Sequence, residues 1–379
     1  MPNKKKIVIC ANTAWNLWNF RRNLIRSLVE RGFEVVAVAP YDSFAELLPS
    51  LGCRFVHLEM DNGGTNPIAD IALYFAFKRL FKIERPDVFL GYTIKPNIYG
   101  SLAANRFNIG VINNIAGVGA VFINKSILTP IVEFLYRKGL KRSWQVFFQN
   151  NDDREQFIKG GQVDAAKATC LPGSGIDLAE HAFEPAAPME GRKFRFLFVG
   201  RMLRNKGVVE FEAAARSLKS SLPDVEWTML GSVDVPNPTS ISQSDVDAWQ
   251  ASGSVRYLGF MDDVRPELAR ADCVVLPSYR EGTPRSLLEA AAIGRPIITT
   301  DTPGCRNVVD DGSNGYLCRA ADPADLAEKM LRMVSSTEQQ RLAMGRAGRE
   351  KMVREFDIQL VIDKYASAIQ GFLDSDHTR

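Results

Sequence analysis

Short apolar runs alternate with longer amphipathic stretches along most of the chain. The apolar runs are bounded by turn residues, which is typical of buried strands. The strands predicted in this way are 6–11, 34–39, 54–58, 87–92, 110–115, 145–149, 194–200, 225–230, 255–259, 273–276, 296–300 and 315–318. Helical patterns lie between several of them, as at 18–31 and 67–83. Strands that alternate with helices predict right-handed βαβ units, and therefore an α/β protein with parallel sheets.

A stretch rich in glycine and proline divides this pattern into two halves of similar size. It contains Pro172-Gly-Ser-Gly175 and the run 184–191, and a new series of strands begins after it. We predict two Rossmann-like, doubly wound domains, 1–172 and 173–358, facing each other across a deep cleft. We expect a C-terminal helix at about 359–379 to pack back on the first domain. The cleft is the expected ligand site.

The composition is that of a soluble globular protein. Hydrophobic residues make up 46% of the 379 residues and charged residues 24%, and no apolar run reaches the ~20 residues that cross a bilayer. The lysine-rich start lacks the apolar core and cleavage site of a signal peptide. The six cysteines form no CxxC pair, and the three histidines share no ligand spacing. We therefore expect a cytoplasmic protein with reduced cysteines and without a metal site.

The net charge of +3 is unevenly distributed. Residues 1–142 hold 19 Lys/Arg against 10 Asp/Glu (+9), and the remainder holds 28 against 34 (−6), so the first half suits an anionic partner. The helix predicted at 126–143 is both basic and apolar. It lies either on an anionic membrane surface or in the core with a solvated basic face. We expect the apolar helix 68–81 to be buried.

The most informative segment is Glu281-Gly-Thr-Pro-Arg-Ser-Leu-Leu-Glu289. It follows the predicted strand 273–276, so Glu281 lies in the loop at the carboxyl end of that strand and Glu289 about two turns down the helix that follows. Ligands of open parallel sheets bind at this edge. Two solvated surface glutamates would give the same pattern, and the spacing alone does not separate the two interpretations.

A second strand end in the same half carries positive charge. The predicted strand 194–200 runs into Gly200-Arg-Met-Leu-Arg-Asn-Lys-Gly207, and a helix follows. Gly200 permits close approach of a ligand to the backbone. Arg201 and Lys206 place two cations where a helix N-terminus already attracts anions. This arrangement suits a diphosphate, with a solvated basic loop as the alternative.

The motifs of the second half occur in the order Gly200-Arg201, Lys206-Gly207, Pro277-Ser278, Glu281-Gly282-Thr283-Pro284, Leu288-Glu289-Ala290 and Gly294-Arg-Pro-Ile297. This series resembles the donor-binding domain of family-4 retaining glycosyltransferases, which have the GT-B fold. The resemblance implies that fold for the whole chain.

The first half is similar to one branch of that family, whose members extend lipid-linked oligosaccharides in bacterial polysaccharide and glycan assembly. The similarity lies in Thr93-Ile-Lys-Pro-Asn-Ile-Tyr-Gly100, Ile115-Ala-Gly-Val-Gly119, Phe147-Phe-Gln-Asn150 and the turn 11–21. Two features depart from the family. The first turn lacks the glycine pair of many members, and Thr93 and Lys95 lie where many members carry a histidine. We expect one of these two side chains to occupy its space.

The resemblance implies a metal-independent enzyme without a cofactor, which moves a hexose or N-acetylhexosamine from a nucleoside-diphosphate sugar, expected to be UDP-linked, with retention of configuration. The acceptor would be a saccharide on a polyprenyl diphosphate, and the enzyme would be peripheral on the inner face of the bacterial membrane, without a nucleic-acid partner. The residues implied for the donor are Gly200, Arg201, Lys206, Glu281, Gly282, Thr283, Pro284, Leu288 and Glu289, and those for the acceptor are Asn16, Arg21, Thr93, Lys95 and Asn97.

Three of the donor residues are also implied in catalysis. Arg201 and Lys206 would stabilise the charge that grows on the leaving diphosphate. Glu281 would hold hydroxyls of the donor sugar or stabilise positive charge on its ring, and Glu289 would accept hydrogen bonds from the ribose.

Other functions remain open from the sequence. A UDP-sugar epimerase would use the same fold without a lipid acceptor. A phosphorylase would need a pyridoxal-phosphate lysine and usually a longer chain, so we discount it. A non-catalytic polyanion-binding protein would use the basic first half, but the sequence has no nucleic-acid-binding signature to support it.

Overall fold

The computed structural model describes residues 4–61, 66–117 and 129–376. Contacts divide the chain into a first domain, Met1–Ser174 with Ile358–Arg379, and a second domain, Gly175–Asp357. The boundaries predicted from the sequence were 172/173 and 358/359. Positions 118–119 of the motif at 115–119, positions 126–128 of the basic helix and positions 377–379 of the predicted C-terminal helix lie outside the described residues.

A parallel sheet forms the centre of the first domain. In the described part of this domain its strand order is β3-β2-β1-β4-β5-β6-β7. The strands are β1 Lys6–Cys10, β2 Glu34–Ala39, β3 Arg54–His57, β4 Val88–Tyr92, β5 Gly110–Ile115, β6 Gln145–Phe148 and β7 Ala168–Cys170. The helices are α1 Ala14–Glu30, α2 Pro67–Glu84, α3 Ser101–Ala104, α4 Thr129–Leu140, α5 Asn151–Lys159 and α12 Ile358–Asp376.

A second parallel sheet forms the centre of the second domain, in the order β10-β9-β8-β11-β12-β13. Its strands are β8 Phe194–Val199, β9 Val225–Leu230, β10 Arg256–Tyr257, β11 Cys273–Leu276, β12 Ile297–Thr300 and β13 Gly315–Cys318. The helices are α6 Val208–Leu218, α7 Gln243–Ala251, α8 Arg265–Arg270, α9 Arg285–Ala292, α10 Pro323–Ser335 and α11 Glu338–Lys351. In both sheets the order doubles back from the first strand of the domain, as in a doubly wound fold. The predicted α/β class with two Rossmann-like domains is confirmed.

The chain returns to the first domain at its C-terminal end. Tyr365 of α12 is fully buried, and its hydroxyl accepts a hydrogen bond of 3.0 Å from the amide of Asn114 in β5. A side chain at Gly110 would lie 2.4 Å from the ring of Phe372, so this glycine lets the helix pack directly on the edge of β5. The last helix therefore belongs to the core of the first domain.

The prediction for the helix at 68–81 was wrong in part. Leu73, Phe77 and Phe81 of α2 are buried as expected, but Ile68, Ile71 and Phe75 are exposed. The helix is apolar on nearly all sides, and sequence periodicity does not show which side another element covers.

Candidate active site

Two loops lie side by side at the carboxyl edge of the second sheet. They follow β8 and β11, which are hydrogen-bonded neighbours in that sheet. The ammonium group of Lys206, on the first loop, forms an ion pair with the carboxylate of Glu281, on the second. Ser278 donates its hydroxyl hydrogen bond to Oε1 of Glu281 at 2.8 Å. The structure thus brings two of the predicted catalytic residues into direct contact.

The backbones of the two loops are also joined. The N–H of Tyr279 donates to the carbonyl of Asn205 at 3.0 Å, and the hydroxyl of Ser278 donates to the same carbonyl at 3.1 Å. Gly207 has a φ of +76°, and a Cβ there would lie 2.1 Å from the carbonyl oxygen of Pro277. Only glycine permits this approach, so the Lys-Gly pair of the sequence both supplies the cation and allows the loops to touch.

A third loop holds the turn of Glu281 from the other side. The N–H of Glu281 donates to the carbonyl of Pro303 at 3.0 Å. Gly304 has a φ of +82°, and a Cβ there would lie 2.3 Å from the carbonyl oxygen of Glu281 and 2.5 Å from that of Gly282. The loop after β12 therefore fixes the backbone on which the carboxylate is mounted.

Arg201 supplies a solvated cation on the same loop as Lys206. Its side chain is exposed, and within residues 4–61, 66–117 and 129–376 no group forms an ion pair or hydrogen bond with its guanidinium. The preceding Gly200 is held by its N–H, which donates to Leu230 at 3.0 Å, and Gly231 approaches so closely that a Cβ would lie 1.8 Å from the Gly200 carbonyl oxygen. The site therefore combines Lys206, which is paired with Glu281, and Arg201, whose side chain is exposed to solvent.

Glu289 is oriented by two basic side chains. Nε of Arg285 donates to its Oε1 at 2.7 Å, and Nε2 of His181 lies 3.8 Å from the same oxygen. His181 is buried, and its Nδ1 lies 3.0 Å from the carbonyl oxygen of Asp177. Sequence reasoning missed both residues. Arg285 had a detectable signal, since it stands four positions before Glu289 on a helix, whereas His181 comes from a distant loop without a motif.

The other predicted donor residues differ in what they offer a ligand. Gly282 and Thr283 form the turn, and Pro284 is the residue before the first turn of α9. The side chain of Leu288 is buried in the hydrophobic core of the domain. Leu288 therefore anchors α9, and its side chain does not face a ligand.

The buried thiol of Cys305 lies near the carboxylate of Glu281. Burial raises the pKa of Cys305 to about 11, with a further contribution from the charge of Glu281. The thiol is therefore protonated at neutral pH, and since the thiolate is the nucleophile, we assign Cys305 to the core.

In the first domain, Thr93 and Lys95 follow the carboxyl end of β4. Thr93 has a φ of +63°, a left-handed conformation that is rare for a β-branched residue. Its hydroxyl donates to the carbonyl of Tyr92 at 2.5 Å. Lys95 forms an ion pair of 2.9 Å with Asp70 of α2. The left-handed conformation of Thr93 is strained, and backbone strain is often found at functional sites, where the surrounding structure enforces it. The backbone angle therefore indicates a functional position independently of any sequence motif.

Arg21 is a buried cation that has no counter-ion among the described residues. Its side chain is 3% exposed, stacks 4.2 Å from the centre of the Tyr92 ring and donates to Ser174 Oγ at 3.0 Å. In the described ranges no carboxylate contacts it, and its Nε has no hydrogen-bond partner. Oδ1 of Asn16, on the same helix, is also buried without a partner among the described residues. These two residues present unused polar groups in the interior.

Asn97 is placed differently from the other residues predicted to bind the acceptor. It is buried, its Nδ2 donates to the carbonyl of Asn114 at 2.8 Å, and its Oδ1 accepts from Asn113 at 2.9 Å. The amide therefore links the segment after β4 to β5. We assign it a structural part and do not expect it to contact an acceptor.

The described residues contain neither a metal-ligand cluster nor a membrane-spanning helix. No three His, Cys, Asp or Glu side chains among them converge as metal ligands. No helix in the described part of the chain is long and apolar enough to span a bilayer. The expectation that the protein needs no metal remains a prediction.

Two family models together match most of the chain. Residues 17–173 match the model described as "Glycosyl transferase 4-like domain", and residues 193–336 match "Glycosyl transferases group 1". The second match contains both loops of the candidate site, and the first contains Arg21, Thr93 and Lys95.

Two relatives match over long stretches. The N,N'-diacetylbacillosaminyl-diphospho-undecaprenol alpha-1,3-N-acetylgalactosaminyltransferase of Campylobacter jejuni is 26% identical over 382 residues, which cover 95% of this chain and 97% of the relative. The UDP-Gal:alpha-D-GlcNAc-diphosphoundecaprenol alpha-1,3-galactosyltransferase of Escherichia coli is 25% identical over 309 residues, 78% of each chain. The structure of Anabaena Alr3699/HepE in complex with UDP and glucose superposes with a TM-score of 0.77 at 16% identity, covering 97% of this chain and 99% of that one. At this identity the superposition shows the fold alone.

Proposed function

The chain belongs to the group 1 glycosyltransferases, with a glycosyltransferase 4-like first domain, and we propose that it transfers a sugar from a nucleoside diphosphate to a saccharide carried on a polyprenyl diphosphate. The observation that carries the proposal is the contact between Glu281 and Lys206, on a loop that also carries Arg201, a residue without an ion-pair partner among the described residues. A nucleotide sugar presents a diphosphate directly next to sugar hydroxyls. The carboxylate of Glu281 matches the hydroxyls, and the two cations Lys206 and Arg201 match the diphosphate.

In the reaction, the bond between the anomeric carbon and the diphosphate oxygen breaks, and the diphosphate leaves with the electron pair. A new bond forms to the acceptor oxygen, whose proton is released. Arg201 and Lys206 stabilise the charge on the departing diphosphate, which is where electrostatic catalysis has the largest effect. Glu281 accepts hydrogen bonds from the sugar, and Glu289, fixed by Arg285 and His181, accepts them from the ribose.

The two relatives support the choice of substrates. Both names specify an acceptor linked to undecaprenol through a diphosphate, and one specifies a UDP-linked donor. We infer the same classes here, a UDP-sugar and a polyprenyl-diphosphate-linked saccharide, with catalysis that requires no metal ion. An acceptor of this kind is held in a bilayer, so we further propose that the enzyme works as a peripheral protein on an anionic membrane surface.

The test is a panel of nucleotide sugars incubated with an undecaprenyl-diphosphate-linked saccharide. We expect one UDP-sugar to be consumed, with UDP and an extended lipid-linked saccharide as products in equal amounts. The Glu281→Gln variant should fold normally and lose this activity. Isomerisation of the UDP-sugar without an acceptor would instead identify an epimerase, and no consumption of any donor by folded protein would refute the proposal.

A further inference from the structure

A cleft lies at the edge of the second sheet opposite to the candidate active site. This amino-edge cleft has a volume of about 970 Å³ and is lined by residues around the amino ends of β8, β9 and β10, among them Lys193, Val225 and Arg256. The strands are parallel, so the loops that carry Lys206 and Glu281 lie at the other edge. At about 3.3 Å per residue, the six-residue β8 separates the two edges by roughly 17 Å. The cleft is therefore not part of the donor site.

The lining of the amino-edge cleft is rich in positive charge. Its basic residues are Arg192, Lys193, Arg195, Lys219, Arg256 and Arg270, and its acidic residue is Glu226. Two further carboxylates, those of Glu267 and Asp272, pair with arginines of the lining. Six cations thus face three carboxylates, which leaves an excess of three positive charges in one concave site. Such an excess favours an anion that carries more than one charge.

Two of the arginines are held in position by a carboxylate that they share. Oε2 of Glu226 accepts from Nε of Arg195 at 2.9 Å, and its Oε1 accepts from Nη1 of Arg256 at 3.0 Å. In the described part of the chain the guanidinium of Arg256 makes no other hydrogen bond, so most of its N–H groups remain for a ligand. A guanidinium that is already oriented loses little freedom when it binds a phosphate.

The two lysines of the cleft have no carboxylate partner among the described residues. The ammonium of Lys219 donates to the carbonyl of Ser252 at 2.9 Å. Gly253 has a φ of +68°, and a Cβ there would lie 2.8 Å from that ammonium, so the glycine makes room for the charged group. Lys193 is exposed and immediately precedes β8. Both ammonium groups are therefore available to an anion.

A buried hydrogen-bond donor in the lining is also without a partner. Trp227 lines the cleft and is 4% exposed, and its Nε1 has no hydrogen-bond partner within residues 4–61, 66–117 and 129–376. A buried donor is costly when it is left unpaired, and nearly all such groups in native proteins are paired. An oxygen atom of a ligand would satisfy this N–H. The unpaired indole thus indicates a ligand independently of the charges.

We propose that the amino-edge cleft binds a phosphorylated small molecule, at a site separate from that of the nucleotide sugar. Arg256, Lys193 and Lys219 contact the phosphate oxygens, and apolar side chains such as Leu222 and Pro223 cover the rest of the ligand. A phosphate fits better than a single carboxylate, because it matches the guanidinium fork and offers more negative charge to the excess of cations. Binding at this site does not depend on sugar transfer.

The test is calorimetric titration of the full-length protein with pyrophosphate and with ribose 5-phosphate. The background variant R201Q/K206M weakens anion binding at the donor site, so the binding that remains reports on the cleft. In that background K193Q/K219Q should bind the probes about 100-fold more weakly, and R256Q about tenfold, because each charge-assisted hydrogen bond contributes roughly tenfold. The probe that binds more tightly tells whether a diphosphate or a sugar phosphate is the better ligand.

The matched control is K82Q/K141Q, which removes two exposed lysines of the first domain and so makes the same change of charge. In the same background it should bind the probes without loss. The Tm of K193Q/K219Q should stay that of the background, because neither lysine pairs with a carboxylate in the described ranges. Equal losses of binding in the two double-lysine variants, or no binding of either probe to the R201Q/K206M protein, would overturn the proposal.

A second measurement locates the ligand on the unaltered protein. Pyrophosphate should slow amide hydrogen exchange at 219–227 and 252–256, where the cleft is lined. Protection confined to 200–207 would show that the anion binds only at the donor site, and this result would also overturn the proposal. If no sugar is transferred to any acceptor, these two measurements still decide whether the amino-edge cleft holds a phosphate.

Discussion

The contact between Lys206 and Glu281 makes a prediction that separates pairing from catalysis. In the absence of donor, each side chain is the main partner of the other, with 21% and 13% of the side chains exposed. When a donor binds, we expect Lys206 to turn to the diphosphate and Glu281 to the sugar. The perturbations are Lys206→Met, Glu281→Gln and the double variant.

The expected magnitudes follow from the burial of the pair. Exposed pairs contribute about 0–1 kcal/mol, whereas breaking a buried pair costs about 3–5 kcal/mol. For a pair that is mostly but not fully buried we expect roughly 2 kcal/mol for Lys206→Met, or a fall in Tm of about 4–8 °C in a domain of this size. Because the double variant removes both charges, its loss of stability should be smaller than the sum of the single losses by roughly 1–2 kcal/mol.

The assay is calorimetric unfolding of the four proteins with and without UDP. At a UDP concentration of about 100 times Kd, binding should stabilise the unaltered protein by about 2.7 kcal/mol. Lys206→Met should lose most of this UDP-dependent shift, and Glu281→Gln should keep it, because of these two residues Lys206 is the one expected to contact the diphosphate. Both single variants should lose about 100- to 1000-fold in kcat.

Two results would refute this reasoning. A full UDP-dependent shift in Lys206→Met would show that the ammonium does not bind the diphosphate. Strictly additive losses of stability would show that the ion pair does not form in the free protein. In the second case the catalytic assignment would have to rest on the activity data alone.

Three further predictions concern the backbone and the buried charges. Gly304→Ala should lower the free energy of unfolding by about 2–4 kcal/mol, because its Cβ would meet the Glu281 carbonyl oxygen. The control Gly312→Ala, at a position with a φ of +77° and no atom within 4 Å of the added Cβ, should lower it by only about 1 kcal/mol. Equal losses in the two variants would contradict the contact between Gly304 and the Glu281 carbonyl. Thr93→Asn should raise Tm by about 2–4 °C, since asparagine tolerates the left-handed conformation. The same variant should have a lower sugar-transfer activity. A decrease in Tm would argue against backbone strain at this position. The hydrogen bond from Arg54 lowers the pKa of Glu84, so the stability that this pair adds is complete above the ordinary pKa of a carboxyl group and is lost as the pH falls through the lowered value. The difference in Tm between Arg54→Met and the unaltered protein should therefore become smaller at acidic pH. A difference in Tm that does not change with pH would show that the ion pair does not cause it.

Much of the fold could be predicted from the sequence because the sheets are parallel and buried on both faces. Each strand is then an apolar run with turn residues at both ends, and the twelve predicted strands correspond to twelve that are observed. The strand that was not predicted is β7 Ala168–Cys170, which lies at the edge of its sheet. Its three residues are too few to form a recognisable apolar run. The exposure of α2 was missed for a related reason, since composition reports how apolar a helix is and not which side is covered.

The candidate site was predictable only where its residues share a loop. Glu281, Gly282 and Glu289 lie on one strand-turn-helix unit, so their placement follows from local pattern. The contact of Glu281 with Lys206, by contrast, depends on β8 and β11 being neighbours in the sheet, which strand order decides and the sequence does not state. His181 reaches Glu289 from another loop, and Thr93 owes its strain to a backbone angle.

Three of the four cations among the candidate residues are held in three different ways, and the difference indicates which of these three depends most on a ligand. Arg201 is solvated, so an anion that binds it must replace water. Lys206 already has a carboxylate, so a diphosphate must displace Glu281, which then becomes free to bind the sugar. Arg21 has lost water and has no carboxylate in the described residues, with only an aromatic ring and neutral oxygens around it. A buried charge without a counter-ion is costly. An anionic group of the acceptor would therefore gain most at Arg21, which supports its predicted part in acceptor binding more strongly than the sequence motif did.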